Sequence, residues 1–400
     1  MPDVEALPKI SADAHVNEPH DLWYSRLPER FRDDAPRRIQ AGEDGGWRLV
    51  VNGEADSSGD RLPNAEAKAG RQAEEERLNE ERETAATIEA RIAMMRRDRI
   101  HGEMVYPTIG LYVYAVENPA AGIASCRVYN DWIHEHLGDD CPRVRYAALI
   151  PAWDTGTARA EIDRVARWRG VAALMLPLVG TPTWNDAQWE PLWAAVTETG
   201  LPVVMHQGTG HDMIFFRGWG SPTANLLATQ SMASWTSALL ACGGVFERYP
   251  DLHVVLVEVN AGWMAWTMST LDEYFVAHRA ELRKPHLPEL PSFYLRRQVH
   301  ATFQQDPVAV AARIFTGVEC LMWGNDFPHD EGRSPILTRS SPPFSTPWMP
   351  PTQPRSPAVT RSASSTSTGR SSRRPLEIAA SNVAPCLSHT PPTPRPASPR

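Results

Sequence analysis

Apolar runs of six to eight residues alternate with longer stretches of helical periodicity along most of this chain. The runs are PKISAD at 8–13, GEMVYP at 102–107, RYAALIPA at 145–152, VAALMLP at 171–177, PVVMHQ at 202–207, HVVLVEV at 253–259, QVHATF at 298–303 and CLMWGND at 320–326. Short β-branched and Met-containing runs of this kind read as strands buried on both faces. Strands separated by helical crossovers must pair in parallel. Eight of them close a ring, so the predicted fold class is α/β, a TIM-like (β/α)8 barrel. The intervening helices fit the outside of such a barrel. Residues 84–98 place Ile88, Ile92 and Met95 at spacings of four and three with charges between them. Asn185-Asp186 opens another helix, with Trp189, Leu192, Trp193 and Val196 on its apolar face and Gly200 as its stop.

Two regions break the alternation. Residues 16–83 separate the first run from the first amphipathic helix, far beyond the ~2–6 residues usual for such a connection. An elaborated first βα loop roofing the barrel mouth is expected there. Its charge run at 66–83 reads as a solvated arm. From Arg333 to Arg400 the chain holds 15 of its 36 prolines, nine arginines, no lysine and one acid, Glu377. Such a composition cannot supply a packed core and predicts a disordered C-terminal tail. The sharpness of the change suggests a reading-frame shift near Arg333 that replaces a final helix. The predicted organisation is a barrel over 1–332, with 16–83 as lid, followed by the tail over 333–400.

Bulk properties narrow the function. The formal net charge of -8 gives no basic surface for nucleic acid. No apolar stretch approaches the ~18 residues a membrane helix needs. The segment MPDVEALPKI has no basic region followed by an apolar core, so a cytoplasmic location is expected. The five cysteines are scattered without CxxC spacing, which argues against a zinc knuckle or a disulfide framework. Cys242 and Cys320 read as small core residues.

The candidate chemistry sits at the carboxyl ends of the runs, where barrel enzymes keep their sites. Asp13 and His15 are two residues apart and point to one face of an extended strand, so together they can bind one cation. Glu18, in the turn that follows, reads as a solvated loop carboxylate. His206 ends PVVMHQ and offers an imidazole, the commonest metal ligand. His211, between glycines, reads as a substrate or surface contact. Glu258 lies among Val254, Val255, Leu256, Val257 and Val259, where a bare carboxylate is costly unless a cation or hydrogen bonds receive it. Metal binding, a pair with a histidine, or general acid-base work are all open to it. Asp326 follows Gly324, in WGNDFPH, and His329, which closes that motif, is a candidate substrate contact. Trp263, five residues past Glu258, is a candidate wall for a flat substrate. One divalent ion held by such groups would suit hydrolysis, hydration or decarboxylation. The mixed oxygen and nitrogen set fits Zn²⁺ first, with Mn²⁺ or Fe²⁺ also open.

The motifs ISADAHVNEPHDLW, PVVMHQGTG, VVLVEVNAGWMAW and WGNDFPHDEG resemble the amidohydrolase superfamily. The match is with its amidohydrolase-related branch, which includes aminocarboxymuconate semialdehyde decarboxylase and resorcylate-type decarboxylases. The resemblance implies one bound divalent metal and either decarboxylation of a small aromatic or unsaturated acid or hydrolysis of a small amide or ester. Matched by motif, Asp13 and His15 take the first-strand ligand positions and His206 the fifth-strand one. Asp326 is the last-strand carboxylate that binds metal and moves the proton. Two departures stand out: Asp-x-His replaces the His-x-His of many relatives, and Glu258 replaces a sixth-strand histidine. A buried Glu258 with a raised pKa would suit a general acid. Relatives are often homodimers, and an arginine such as Arg61 or Arg97 reaching the pocket would mark a carboxylate substrate. A catalytically silent binding protein is the alternative of another class.

Overall fold

The structure is a computed structural model that describes residues 8–40, 47–55, 87–139, 141, 143–211, 213–278 and 287–329. Its strands are β1 (Lys9–Val16), β2 (Arg37–Gln40), β3 (Trp47–Val51), β4 (Glu54–Ala55), β5 (Ile100–Pro107), β6 (Val144–Leu149), β7 (Val171–Pro177), β8 (Val203–His206), β9 (Val254–Val257), β10 (Val299–Phe303) and β11 (Leu321–Trp323). Eight of them form one parallel sheet in the order β1-β5-β6-β7-β8-β9-β10-β11, with helices between successive members. All eight predicted runs are present. The sheet curls into a nearly closed TIM-type barrel because its two edges meet. At that seam the Asp326 amide donates to the Asp13 carbonyl at 2.8 Å and the His15 amide to the Phe327 carbonyl at 2.6 Å. An isolated parallel bridge joins Ala14 and Phe327.

Side chains tighten the same seam. Ser11 Oγ donates to Asn325 Oδ1 at 2.7 Å and accepts from the Asn325 amide at 3.0 Å. Gly324 is required there, since a Cβ built on it would fall onto the Cβ of Asp13. The strands carry a buried core that includes Leu149, Leu174, Met175, Met205 and Leu256. The helices bury one face each, as their periodicity requires. In Glu190–Thr199 the apolar face is Leu192, Trp193 and Val196, and Gly200 ends the helix in the left-handed region at φ 67°. The Trp193 ring lies 5.6 Å from that of Trp184, which in turn stands 4.8 Å from Trp189.

The first amphipathic helix is shorter than predicted, Ile88–Arg97, with Thr87 Oγ1 capping it through the Ala90 amide at 3.2 Å. The elaborated first loop contains the helix Leu22–Arg26 and the antiparallel sheet β2-β3-β4. Trp23 anchors it: the side chain is buried and its indole N–H donates to the Ser125 carbonyl at 3.0 Å. The charge run at 66–83 and the Pro/Ser/Arg-rich stretch 333–400 lie outside the described residues. Among the described residues no helix is long and apolar enough to cross a membrane.

Because Gly324 touches Asp13 across the seam, Gly324→Ala forces the two edges apart. Overpacking of this kind costs about 1–3 kcal/mol. Urea denaturation is expected to show that loss, and a change below about 0.5 kcal/mol, the range of ordinary surface substitutions, would contradict the close approach.

Candidate metal centre

Barrel closure gathers residues from opposite ends of the chain at the carboxyl ends of the strands. Asp13 and His15 lie within β1 rather than at its end, because β1 continues to Val16. His206 is the last residue of β8, Glu258 follows β9 directly, and Asp326 lies three residues past β11. His15 Nε2 is the hub. It stands 3.2 Å from His206 Nε2, 3.3 Å from Asp326 Oδ1 and 3.7 Å from Asp13 Oδ1. Glu258 Oε2 is 3.3 Å from His206 Nε2, and His329 Nδ1 is 3.1 Å from Asp326 Oδ1. The donor atoms of Asp13, His15 and His206 all lie within 4.8 Å of one another, as do those of His15, Glu258, Asp326 and His329.

Hydrogen bonds define what these atoms can do. His15 Nδ1 lies 2.8 Å from the Pro107 carbonyl and His206 Nδ1 2.9 Å from the Gln207 carbonyl. A carbonyl only accepts, so in each neutral ring the proton sits on Nδ1. Both Nε2 atoms are then lone pairs, facing each other. Burial lowers the pKa of His15 to about 4 and that of His206 to about 3, with the neighbouring rings of His329 and His15, respectively, adding to the shift. The carboxylates behave as a pair. Burial, then the charge of Asp326, pushes Asp13 well up against the opposing hydrogen bond from Thr302. Burial also opposes ionisation of Asp326, but the neighbouring His15 and His329 rings outweigh it and lower that pKa. Asp13 Oδ1 and Asp326 Oδ1 are buried and no hydrogen bond satisfies either. Two imidazole lone pairs and two such oxygens crowd around His15 Nε2, an arrangement that a cation would satisfy, and Asp13, His15 and His206 form one group that fits it.

Other groups hold the ligands in place. Thr302 Oγ1 donates to Asp13 Oδ2 at 3.1 Å and accepts from the Glu258 amide at 2.7 Å. Gln304 Nε2 donates to Asp326 Oδ2 at 3.1 Å, and Gln207 Nε2 to Glu258 Oε1 at 2.6 Å. Glu258 and Asp326 both adopt left-handed backbone, at φ 60° and 52°. Such residues cost about 1–3 kcal/mol each and persist where the surroundings impose them. Behind β1, Arg91 donates to Glu103 Oε2 at 2.7 Å and to the His15 carbonyl.

One expectation changes in this light. Glu18 is not solvated: it is 3% exposed and accepts from the Ile109 and Gly110 amides at 2.9 Å each and from Thr108 at 3.3 Å. The cause is the 3-10 turn over Ile109–Ala115, whose first amides have no partner of their own. His329 lies against the ligands, its ring 3.9 Å from that of His15. His211 stands 6.0 Å from Phe215, ring to ring, and Trp263 spends its indole N–H on the Asn260 carbonyl at 2.9 Å. The Arg97 guanidinium pairs with Asp98 at 2.9 Å, and Arg61 lies outside the described residues. Sequence reasoning passed over Thr302, although it is a polar residue at the end of an apolar run, the same signal that marked His206. It also passed over Gln207, Gln304 and Arg91. Arg91 sits among solvent-type charges and carries no such signal.

A family model described as Amidohydrolase matches residues 12–340. The chain belongs to this family and is an enzyme of the amidohydrolase superfamily. No curated protein matches it. Among solved structures, an amidohydrolase from Mycobacterium avium subsp. paratuberculosis K-10 is 23% identical with a TM-score of 0.67, over 84% of this chain and 94% of its own. The 5-carboxyvanillate decarboxylase of Sphingomonas paucimobilis is 18% identical with a TM-score of 0.60, over 83% and 92%. A dihydroxybenzoic acid decarboxylase from Polaromonas sp. JS666, with bound manganese and the inhibitor 2-nitroresorcinol, is 14% identical with a TM-score of 0.52, over 80% and 86%. At these identities the likeness is one of fold.

The lowered histidine pKa values set a pH dependence for the metal-free protein. Between the ordinary value of 6.5 and about 3–4 the unfolded chain binds protons that these two rings refuse, so stability falls as pH falls through that window. The raised pKa of Asp13 acts in the opposite sense. Urea midpoints measured across this range should therefore fall less steeply for His206→Asn than for the unchanged protein, and equal slopes would contradict the assignment.

Proposed function

We propose that the protein is a metal-dependent carboxy-lyase that removes the carboxylate of a small aromatic or unsaturated acid. The observation that carries this reading is the facing pair of imidazole lone pairs, His15 and His206 at 3.2 Å, bordered by the buried oxygens of Asp13 and Asp326. Asp13, His15, His206 and Asp326 would hold one divalent ion. Such an ion supplies Lewis acidity toward a carboxylate or carbonyl oxygen of the substrate. Two solved structures of the same fold are decarboxylases by name, and one of them carries manganese. That supports the choice of reaction and keeps manganese beside zinc as the ion.

This chain's own residues would then divide the work. Thr302 and Gln304 each fix one carboxylate oxygen of Asp13 and Asp326, leaving the other oxygen aimed at the centre. The carbonyls of Pro107 and Gln207 hold both rings in the tautomer that presents Nε2. Asp326, an anion at rest, is the proposed proton carrier: a proton taken up from solvent by way of His329 would pass through its carboxyl to the substrate carbon as the bond between that carbon and the carboxylate breaks and carbon dioxide leaves. His329, within 3.1 Å of Asp326 and with its Nε2 3.3 Å from Thr108 Oγ1, connects that carboxyl to the mouth. His211 and Trp263 are proposed to line the substrate side, and a cytoplasmic location is proposed with them.

Elemental analysis and a screen of aromatic acids for carbon dioxide release test the reading together. The expected result is one divalent ion per chain, turnover of at least one hydroxylated benzoic acid, and loss of turnover by at least about 10²-fold in Asp326→Asn, the scale of a lost proton-transfer group. Bound metal with release of an acid from amides or esters, and none of carbon dioxide, would make it a hydrolase instead. A protein that takes up no divalent ion would overturn the proposal.

A further inference from the structure

Of the arginines among the described residues, Arg91 alone is buried. One of its guanidinium nitrogens donates to Glu103 Oε2 on β5 at 2.7 Å, and the other donates to the His15 carbonyl on β1. Its Cζ also lies 5.7 Å from the centre of the Phe327 ring, a cation–π distance. One side chain from the helix Ile88–Arg97 thus touches β5, β1 and the segment after β11. The bland explanation is a buried ion pair that holds this helix to the barrel. It does not account for the split fork. A guanidinium that serves only a carboxylate commonly lays two N–H groups on it, whereas here the second nitrogen goes to the backbone of a candidate ligand.

The end of the barrel ladder shows why that carbonyl needs a donor. The His15 amide donates to the Phe327 carbonyl at 2.6 Å, and a parallel ladder continued from there would bring the amide of His329 to the His15 carbonyl. The chain turns away first. The His329 amide goes instead to the Asp326 carbonyl at 2.9 Å, and Arg91 supplies the donor that the ladder does not. Resting on the single-ion reading above, we infer that Arg91 is a positioning residue for the metal centre. It takes the place of the last rung across the seam and fixes the His15 backbone, so that the His15 Nε2 meets His206 and the two carboxylates. Glu103 neutralises the buried guanidinium and aims it. An ammonium is a compact charge without the fork that spans a carboxylate and a carbonyl, so lysine does not fill this role.

The test separates positioning from stability, on full-length protein stripped with a chelator and titrated with Zn²⁺ and with Mn²⁺ against a chromophoric competitor. Replacing a buried ion pair by apolar residues of similar size is often neutral for stability, so Arg91→Met combined with Glu103→Leu is expected to keep the urea midpoint of the unchanged protein. Its Kd for the ion that the unchanged protein binds more tightly is expected to rise by about 10–100-fold, the range seen when groups that orient metal ligands are lost. A smaller rise in a variant that stays folded would make the pair an element of the fold only, and would overturn the inference while leaving the metal centre intact. An unchanged protein that takes up neither ion would overturn the metal reading and this inference with it. Should the double variant fail to fold, Arg91→Lys, which keeps a charge beside Glu103, decides by the same titration: a rise of about 10-fold or more supports the assignment, and a smaller one ends it.

Discussion

Closure of the barrel is the constraint on which everything else rests. The backbone bonds that join β1 to the segment after β11 run through Asp13, His15, Asp326 and Phe327 themselves. The seam and the candidate centre are therefore the same few residues. A hydrogen bond that closes the ring also fixes the distance between the first-strand and last-strand ligands, about 300 residues apart in sequence. Gly324 lets the two backbones meet closely enough, and Ser11 with Asn325 locks their register. Stability of the fold and geometry of the site cannot be varied independently here.

The charge distribution follows from that convergence. Three carboxylates and two neutral imidazoles share a volume from which water is largely excluded, an arrangement that without a counter-ion is held against both desolvation and repulsion. The pair Asp13 and Asp326 shows the tension, one pKa driven up and the other down. Two left-handed residues, Glu258 and Asp326, add backbone strain at the same place. Strain, repulsion and unsatisfied oxygens coincide at one place, where a bound cation would offset the repulsion and satisfy the oxygens. That coincidence is the physical content of the metal assignment, and the family match agrees with it.

Much of this was legible in the sequence. Each of the eight apolar runs became a strand because strands buried on both faces draw mostly on apolar and β-branched residues, and polar residues at their carboxyl ends marked His206, Glu258 and Asp326. The i, i+2 spacing of Asp13 and His15 carried over directly to a shared face. What could not be read depends on contacts between distant segments. Glu18 looks like a loop carboxylate until the 3-10 turn at Ile109 presents its amides. Arg91 looks like one more charge on a helix until β1 and β5 bury it, 3% exposed, against Glu103. The shortened helix at Ile88–Arg97 reflects the same limit, since periodicity marks a face and only a cap marks an end.

The central claim is that His15 and His206 present bare Nε2 lone pairs to one shared point. Long-range proton-nitrogen NMR of the metal-free protein, followed during titration with diamagnetic Zn²⁺, addresses it directly. The account expects both rings as Nδ1–H tautomers near neutral pH and both Nε2 resonances moving together, complete at one equivalent of zinc. A proton on either Nε2, or one ring responding without the other, would contradict it.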